Sequence, residues 1–159
     1  MNTTTVDNTL LRRALAAVTT VDDPEIPGVS IVDLGLLETI TATEDGRLTI
    51  GLIPTFSGCP ALATIGADVK AALEVLPEVE KVTVEWLKSP IWTIERVTAK
   101  ARRTMATDLT LAIKVDSGPT LCPRCGSPTV EKSEFGPSRC RAIHRCGSCF
   151  EVIEVMRDR

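Results

Sequence analysis

Leu48-Thr49-Ile50-Gly51-Leu52-Ile53-Pro54-Thr55-Phe56-Ser57-Gly58-Cys59-Pro60-Ala61-Leu62 changes its apolar period partway along. Leu48, Ile50 and Leu52 alternate with Thr49 and Gly51, the pattern of a strand with one buried face. From Leu62 the spacing becomes helical: Leu62, Ile65, Val69, Leu73 and Leu76 mark one apolar stripe. The segment between is rich in turn formers. Pro60 suits the first turn of the helix, which predicts Cys59 at or beside its N-cap. Upstream, residues 36–43 and the turn Glu44-Asp45-Gly46 complete a hairpin with the alternating strand. Before the hairpin, Val21-Asp22-Asp23-Pro24-Glu25-Ile26-Pro27-Gly28 cannot continue a helix and predicts an extended loop. Leu11, Ala14, Leu15 and Val18 predict a short first helix over residues 8–18. Downstream, Val82, Val84 and Trp86 predict a strand. Ser89-Pro90 then opens an expected third helix reaching about Met105, with Ile91, Ile94, Val97 and Ala101 at helical spacing. Helix, hairpin, helix, strand, helix predicts an α+β domain over residues 1–116, with helices packed on a small mixed sheet. Ser117-Gly118-Pro119 marks the expected boundary to a cysteine-rich, zinc-ribbon-like module over residues 117–159.

The composition supports a folded chain. Of 159 residues 43% are hydrophobic and 25% charged, which excludes wholesale disorder and a collagen-like repeat. With 3% aromatics, no Tyr and one His, chemistry built on several histidines or on a tyrosine is largely excluded. The net charge of -3 argues against nonspecific nucleic-acid binding, although the two parts differ: residues 1–118 carry 11 basic and 16 acidic side chains, and residues 119–159 carry 7 and 5. No stretch approaches the roughly 20 apolar residues of a membrane span, and MNTTTVDNTL lacks the basic start of a secretory signal. A soluble cytoplasmic protein with reduced cysteines is expected, with no membrane or nucleic-acid partner. Homo-oligomerisation is left open.

Cys122-Pro-Arg-Cys125 and Cys146-Gly-Ser-Cys149 are two C-x2-C pairs with twenty residues between them, a zinc-site spacing. Each pair can aim two sulfurs at one ion and supply half of a tetrahedron. Gly126 and Gly147 stand where such turns favour positive φ. A segment with few large hydrophobes gains from a structural metal the folding free energy that its core lacks. Cys140 and His144 are further candidates and could each replace one sulfur. An iron-sulfur cluster could use the same thiolates. Arg139, Arg141 and Arg145 suit a solvated face, an acidic partner or nucleic acid, the last weakly, because no aromatics interleave them.

Cys59 is the candidate for chemistry outside the tail, since helix N-terminal N–H groups stabilise a thiolate. The alternative is a small buried residue without reactivity. A Cys-His-Asp enzyme is poorly supported, because the single His lies among the tail's candidate ligands. Asp22, Asp23, Glu25 and Asp33 are better read as groups capping local backbone than as an acid/base pair.

Three stretches together, Asp23-Pro24-Glu25-Ile26-Pro27, Ser30-Ile31-Val32-Asp33-Leu34-Gly35-Leu36 and Thr55-Phe56-Ser57-Gly58-Cys59-Pro60-Ala61, resemble the iron-sulfur cluster assembly domain family that includes SufT. The tail, through Ser133-Glu134-Phe135-Gly136-Pro137-Ser138-Arg139-Cys140 and both C-x2-C pairs, is similar to a family of small accessory subunits of bacterial phenylacetyl-CoA epoxidase systems. That resemblance implies a role in aerobic phenylacetate degradation beside a di-iron oxygenase and an iron-sulfur flavin reductase. It implies an accessory subunit that performs no epoxidation and assists maturation or insertion of iron or iron-sulfur centres in its partners. It also implies that Cys59 is the thiolate for cluster handling, with a transient cluster in view. The residues agree with this division of labour: one His cannot supply the Glu-x-x-His pairs of a di-iron oxygenase, and no G-x-G-x-x-G loop is present for a flavin or nicotinamide cofactor. A structural subunit that only mediates assembly is the alternative.

Overall fold

A computed structural model describes residues 8–114 and 117–157. Helix α1 (Asn8–Thr19) buries Leu10, Ala14 and Val18. Of the stripe its spacing predicts, Ala14 and Val18 are buried, but Leu11 is only half-buried and Leu15 is exposed, so the inner face is turned toward Leu10. The acidic segment that follows forms a two-stranded ribbon of β1 (Asp22–Asp23) and β2 (Ile26–Ser30), beyond the expected loop. Its carboxylates cap backbone: Asp23 accepts from the Glu25 N–H at 2.8 Å and Asp22 from the Gly28 N–H at 3.2 Å.

The hairpin forms as read, with β3 (Leu37–Ala42) antiparallel to β4 (Arg47–Leu52) and Gly46 at φ 77° in the turn. That positive φ is where glycine is favoured. Helix α2 (Leu62–Glu74) carries the chain across to β5 (Lys81–Trp86), which pairs parallel to β4 as such a crossover permits. The sheet order is β3-β4-β5. The middle strand supplies the centre of this core: Leu48, Ile50 and Leu52 are buried, as are Ile65, Val69 and Leu73 of α2.

The third helix begins later than its apolar spacing predicts. Residues 87–93 are irregular, Ile94–Arg96 makes one 3-10 turn, and α3 runs from Ala99 to Asp108. Thr98 decides the start. It is extended, at φ -66° and ψ 156°, and its hydroxyl accepts from the Ala101 N–H at 3.2 Å, satisfying one of the donors that a helix start leaves open. Arg102 reaches back to the carbonyls of Val97 and Ile94 at 3.0 and 2.6 Å and so holds the turn before the cap.

Beyond α3, the short strand β6 (Leu111–Ile113) pairs parallel to the last strand, and the tail adds β7 (Thr129–Ser133), β8 (Arg141–Cys146) and β9 (Val152–Met156) in the order β6-β9-β8-β7. Periodicity does not single out β6, because three residues cannot display a period. The expected boundary at 116/117 touches residues 115–116, which lie outside the described set. The contacts divide the chain into two compact units: Met1–Pro54 with Pro60–Ile91, and Thr55–Cys59 with Trp92–Arg159. No helix among the described residues is long and apolar enough to cross a membrane.

Candidate metal centre and the Cys59 loop

Two turns of the same construction bring four sulfurs together. In the first, the Cys122 N–H donates to the Ser127 carbonyl and the Gly126 N–H to the Cys122 carbonyl, both at 2.8 Å. In the second, the Cys146 N–H donates to the Glu151 carbonyl at 2.9 Å, five residues on as in the first. The N–H groups of Ser148 and Cys149 both point at the Cys146 sulfur at 3.4 Å. Sheet pairing among β7, β8 and β9 sets the second turn against the first, with Leu121 bridged to Pro128 beside it. The Sγ atoms of Cys122, Cys125, Cys146 and Cys149 all lie within 4.8 Å of one another; Cys122 and Cys149 are 3.7 Å apart, Cys125 and Cys146 3.4 Å. A tetrahedral zinc with bonds of about 2.3 Å would place its sulfurs about 3.8 Å apart, so the set fits that ion with small adjustment.

The thiols do not share their protons evenly. The Ser127 hydroxyl, then its N–H and the Cys146 sulfur, pull Cys125 down to about 6. The N–H groups of Cys149 and Ser148 lower Cys146 against the effect of its burial. Cys149 receives the Glu151 N–H, which lowers it, but burial and the sulfurs of Cys146, Cys125 and Cys122 prevail and push it up to about 12. Four thiolates this close repel one another; a divalent cation among them turns that repulsion into attraction.

Cys140 and His144 stand outside this group. Cys140 has its sulfur 3.3 Å from the Ser138 hydroxyl. His144 is buried on the inner face of β8. Thr129 donates its hydroxyl hydrogen to the Thr120 carbonyl at 2.8 Å, so its oxygen accepts from His144 Nδ1 at 2.9 Å. Burial, with the charge of Lys114, holds the His144 pKa below its ordinary value in spite of Glu131, whose carboxylate is 3.6 Å from Nε2.

The positive-φ residue of the second turn is not Gly147. The position after the second cysteine is Gly126 in one turn, at φ 74°, and Phe150 in the other, at φ 60°. A side chain there costs about 1–2 kcal/mol. Sequence reading missed Phe150, although superposing the two C-x2-C pairs sets it opposite Gly126.

Cys59 lies two residues before Ala61, the N-cap of α2, and not at or beside the cap. Pro60 and Ala61 already form a turn ahead of the helix, which delays its start. Cys59 is half-buried, is not in a disulfide, and closes a turn by donating its N–H to the Phe56 carbonyl at 3.1 Å. A Cβ at Gly58 would stand 2.8 Å from the Phe56 ring, so a larger residue there would have to displace that ring. The Arg139 guanidinium, from the tail, lies 5.7 Å from the centre of the same ring.

The chain thus joins an α+β unit, leading to a cysteine turn, to a four-thiol β-ribbon. Family patterns agree, with the iron-sulfur cluster assembly protein family matching residues 11–86 and the PaaD zinc beta ribbon domain matching residues 109–157. A protein of Escherichia coli (strain K12), provisionally named as one of the subunits of 1,2-phenylacetyl-CoA epoxidase, is 32% identical over 152 residues, which cover 89% of each chain. This chain belongs to that PaaD-type family. The Fe-S protein maturation auxiliary factor YitW of Bacillus subtilis (strain 168) is 36% identical over 97 residues, covering 61% of this chain and 94% of the relative. Among solved structures, a DUF59 domain from Bacillus anthracis is similar at a TM-score of 0.59 and 34% identity, covering 62% of this chain and 93% of that one.

Proposed function

We propose that this chain is a non-catalytic accessory subunit of a phenylacetyl-CoA epoxidase system in the cytoplasm, serving aerobic phenylacetate degradation. It assists maturation or insertion of iron or iron-sulfur centres in its partners, the di-iron oxygenase and the iron-sulfur flavin reductase. One observation carries this reading: the chain matches a relative named as an epoxidase subunit over 89% of both lengths, and it also matches 94% of a maturation factor. Cys122, Cys125, Cys146 and Cys149 hold one structural zinc, which cross-links the two turns and stabilises a ribbon with a small apolar core of Ala112, Cys122, Cys146, Ile153 and Val155. Cys59 is the thiolate that handles iron or a cluster as cargo. Its half-exposure in a turn suits transient ligation, in contrast to the closed four-sulfur set.

Cys59→Ser tests this reading. The variant is expected to keep its fold and its tail metal while the iron content of co-produced partner subunits falls several-fold, measured by elemental analysis and absorbance. Partners with their full iron content would overturn the role of Cys59 and leave a subunit that only mediates assembly.

A further inference from the structure

The outer face of the ribbon carries an apolar patch centred on one arginine. Arg145 of β8 pairs in register with Val130 of β7 on one side and Val152 of β9 on the other, so the three side chains share a face. Its guanidinium lies over the Phe150 ring, 5.5 Å from the centre. Val130, Phe150 and Val152 are 56%, 64% and 59% exposed, so none gains much from burial in this chain.

Two features single the patch out. Phe150 occupies the left-handed position that its counterpart turn gives to glycine, so a large aromatic is held there under backbone strain and without burial to offset it. Strain of this kind concentrates where a surface serves binding. Arg145 is the second feature. The tail's Arg124, Arg141 and Arg157 are ion-paired with Glu151, Glu154 and Glu134, whereas among the described residues Arg145, like Arg139, meets no carboxylate.

We infer that Phe150, Arg145, Val130 and Val152 form the docking surface for a client protein that presents a carboxylate beside apolar side chains. Such a group would pair with the Arg145 guanidinium and cover the ring and the two valines, the aromatic-and-arginine composition of an interface hot spot. The inference rests on the accessory-subunit reading and names the surface through which that subunit would reach its client.

Zinc-loaded chain is titrated against each purified partner, the di-iron oxygenase and the iron-sulfur reductase, and compared with Phe150→Gly and Arg145→Gln. Phe150→Gly relaxes the turn, so it is expected to retain zinc and lose no thermal stability. Both variants are expected to weaken binding of one partner by about tenfold or more, and added salt to weaken the wild-type complex. The surface is overturned if neither partner binds, if either variant binds as wild type, or if the patch binds duplex DNA or RNA in a salt-dependent manner in place of a partner protein. The Cys59→Ser measurement judges the accessory reading separately: partner iron lost there, with docking unchanged in Phe150→Gly, leaves that reading standing and removes this surface.

Discussion

Four of the tail's six candidate ligands are set apart by where their polar atoms point. Cys140 and His144 each have a partner outside the sulfur set, Ser138 and Thr129, while the four C-x2-C sulfurs face one another. Replacing Cys146 by Ser is therefore expected to abolish stoichiometric zinc, whereas Cys140→Ser and His144→Gln retain one zinc per chain by elemental analysis. Loss of zinc in either of the latter would return that side chain to the ligand set. His144→Gln is nevertheless expected to lower stability by about 1 kcal/mol, because it disturbs a buried hydrogen bond to Thr129. The C-x2-C pairs were legible because two residues between sulfurs is a local constraint. The setting of His144 was not, because Thr129 meets it only through the pairing of β7 with β8.

At the scale of elements, the clearest readings were those with a period long enough to count. Strand β4 buries Leu48, Ile50 and Leu52, and α2 buries Ile65, Val69 and Leu73, residues that their apolar spacing marks, so the spacing records their geometry. The start of α3 was misread for a physical reason. Ile91, Ile94, Val97 and Ala101 stand at helical intervals, yet Ile91 is exposed and Trp92 is buried, so the coincidence of spacing reflects no shared face. The better signal was Thr98, a residue whose hydroxyl competes for backbone donors and so marks helix starts. Thr98→Ala is expected to cost about 1 kcal/mol, read as a lower denaturation midpoint, with Thr98→Ser close to wild type. Equal losses in the two variants would assign the effect to packing of the methyl group.

For the molecule as a whole, the two compact units have different sources of stability. The unit that includes β3, β4 and β5 buries many large aliphatic side chains, whereas the ribbon's buried cluster includes two of the candidate metal ligands themselves, Cys122 and Cys146. Removing the metal with a chelator is therefore expected to abolish hydrogen-exchange protection in β7, β8 and β9 while β3, β4 and β5 keep theirs. Protection lost together in both sets would show that the units fold as one. Protection retained in the ribbon would show that its apolar cluster suffices without metal.

By itself the sequence determined the kinds of structure present: an amphipathic α+β part, because alternating and helical apolar spacing dictate what can be buried, and a metal-ready tail, because paired thiols at short spacing converge on one ion. Tertiary structure decided what depends on contacts between distant residues. It grouped the Thr55–Cys59 turn with the ribbon's unit, laid Arg139 over Phe56, added β6 to the ribbon's sheet, and put Phe150 where the matching turn has glycine. Only Phe150 leaves a motif-length trace, through the superposed C-x2-C pairs; the others leave none, because each is fixed by the packing of segments far apart in the chain.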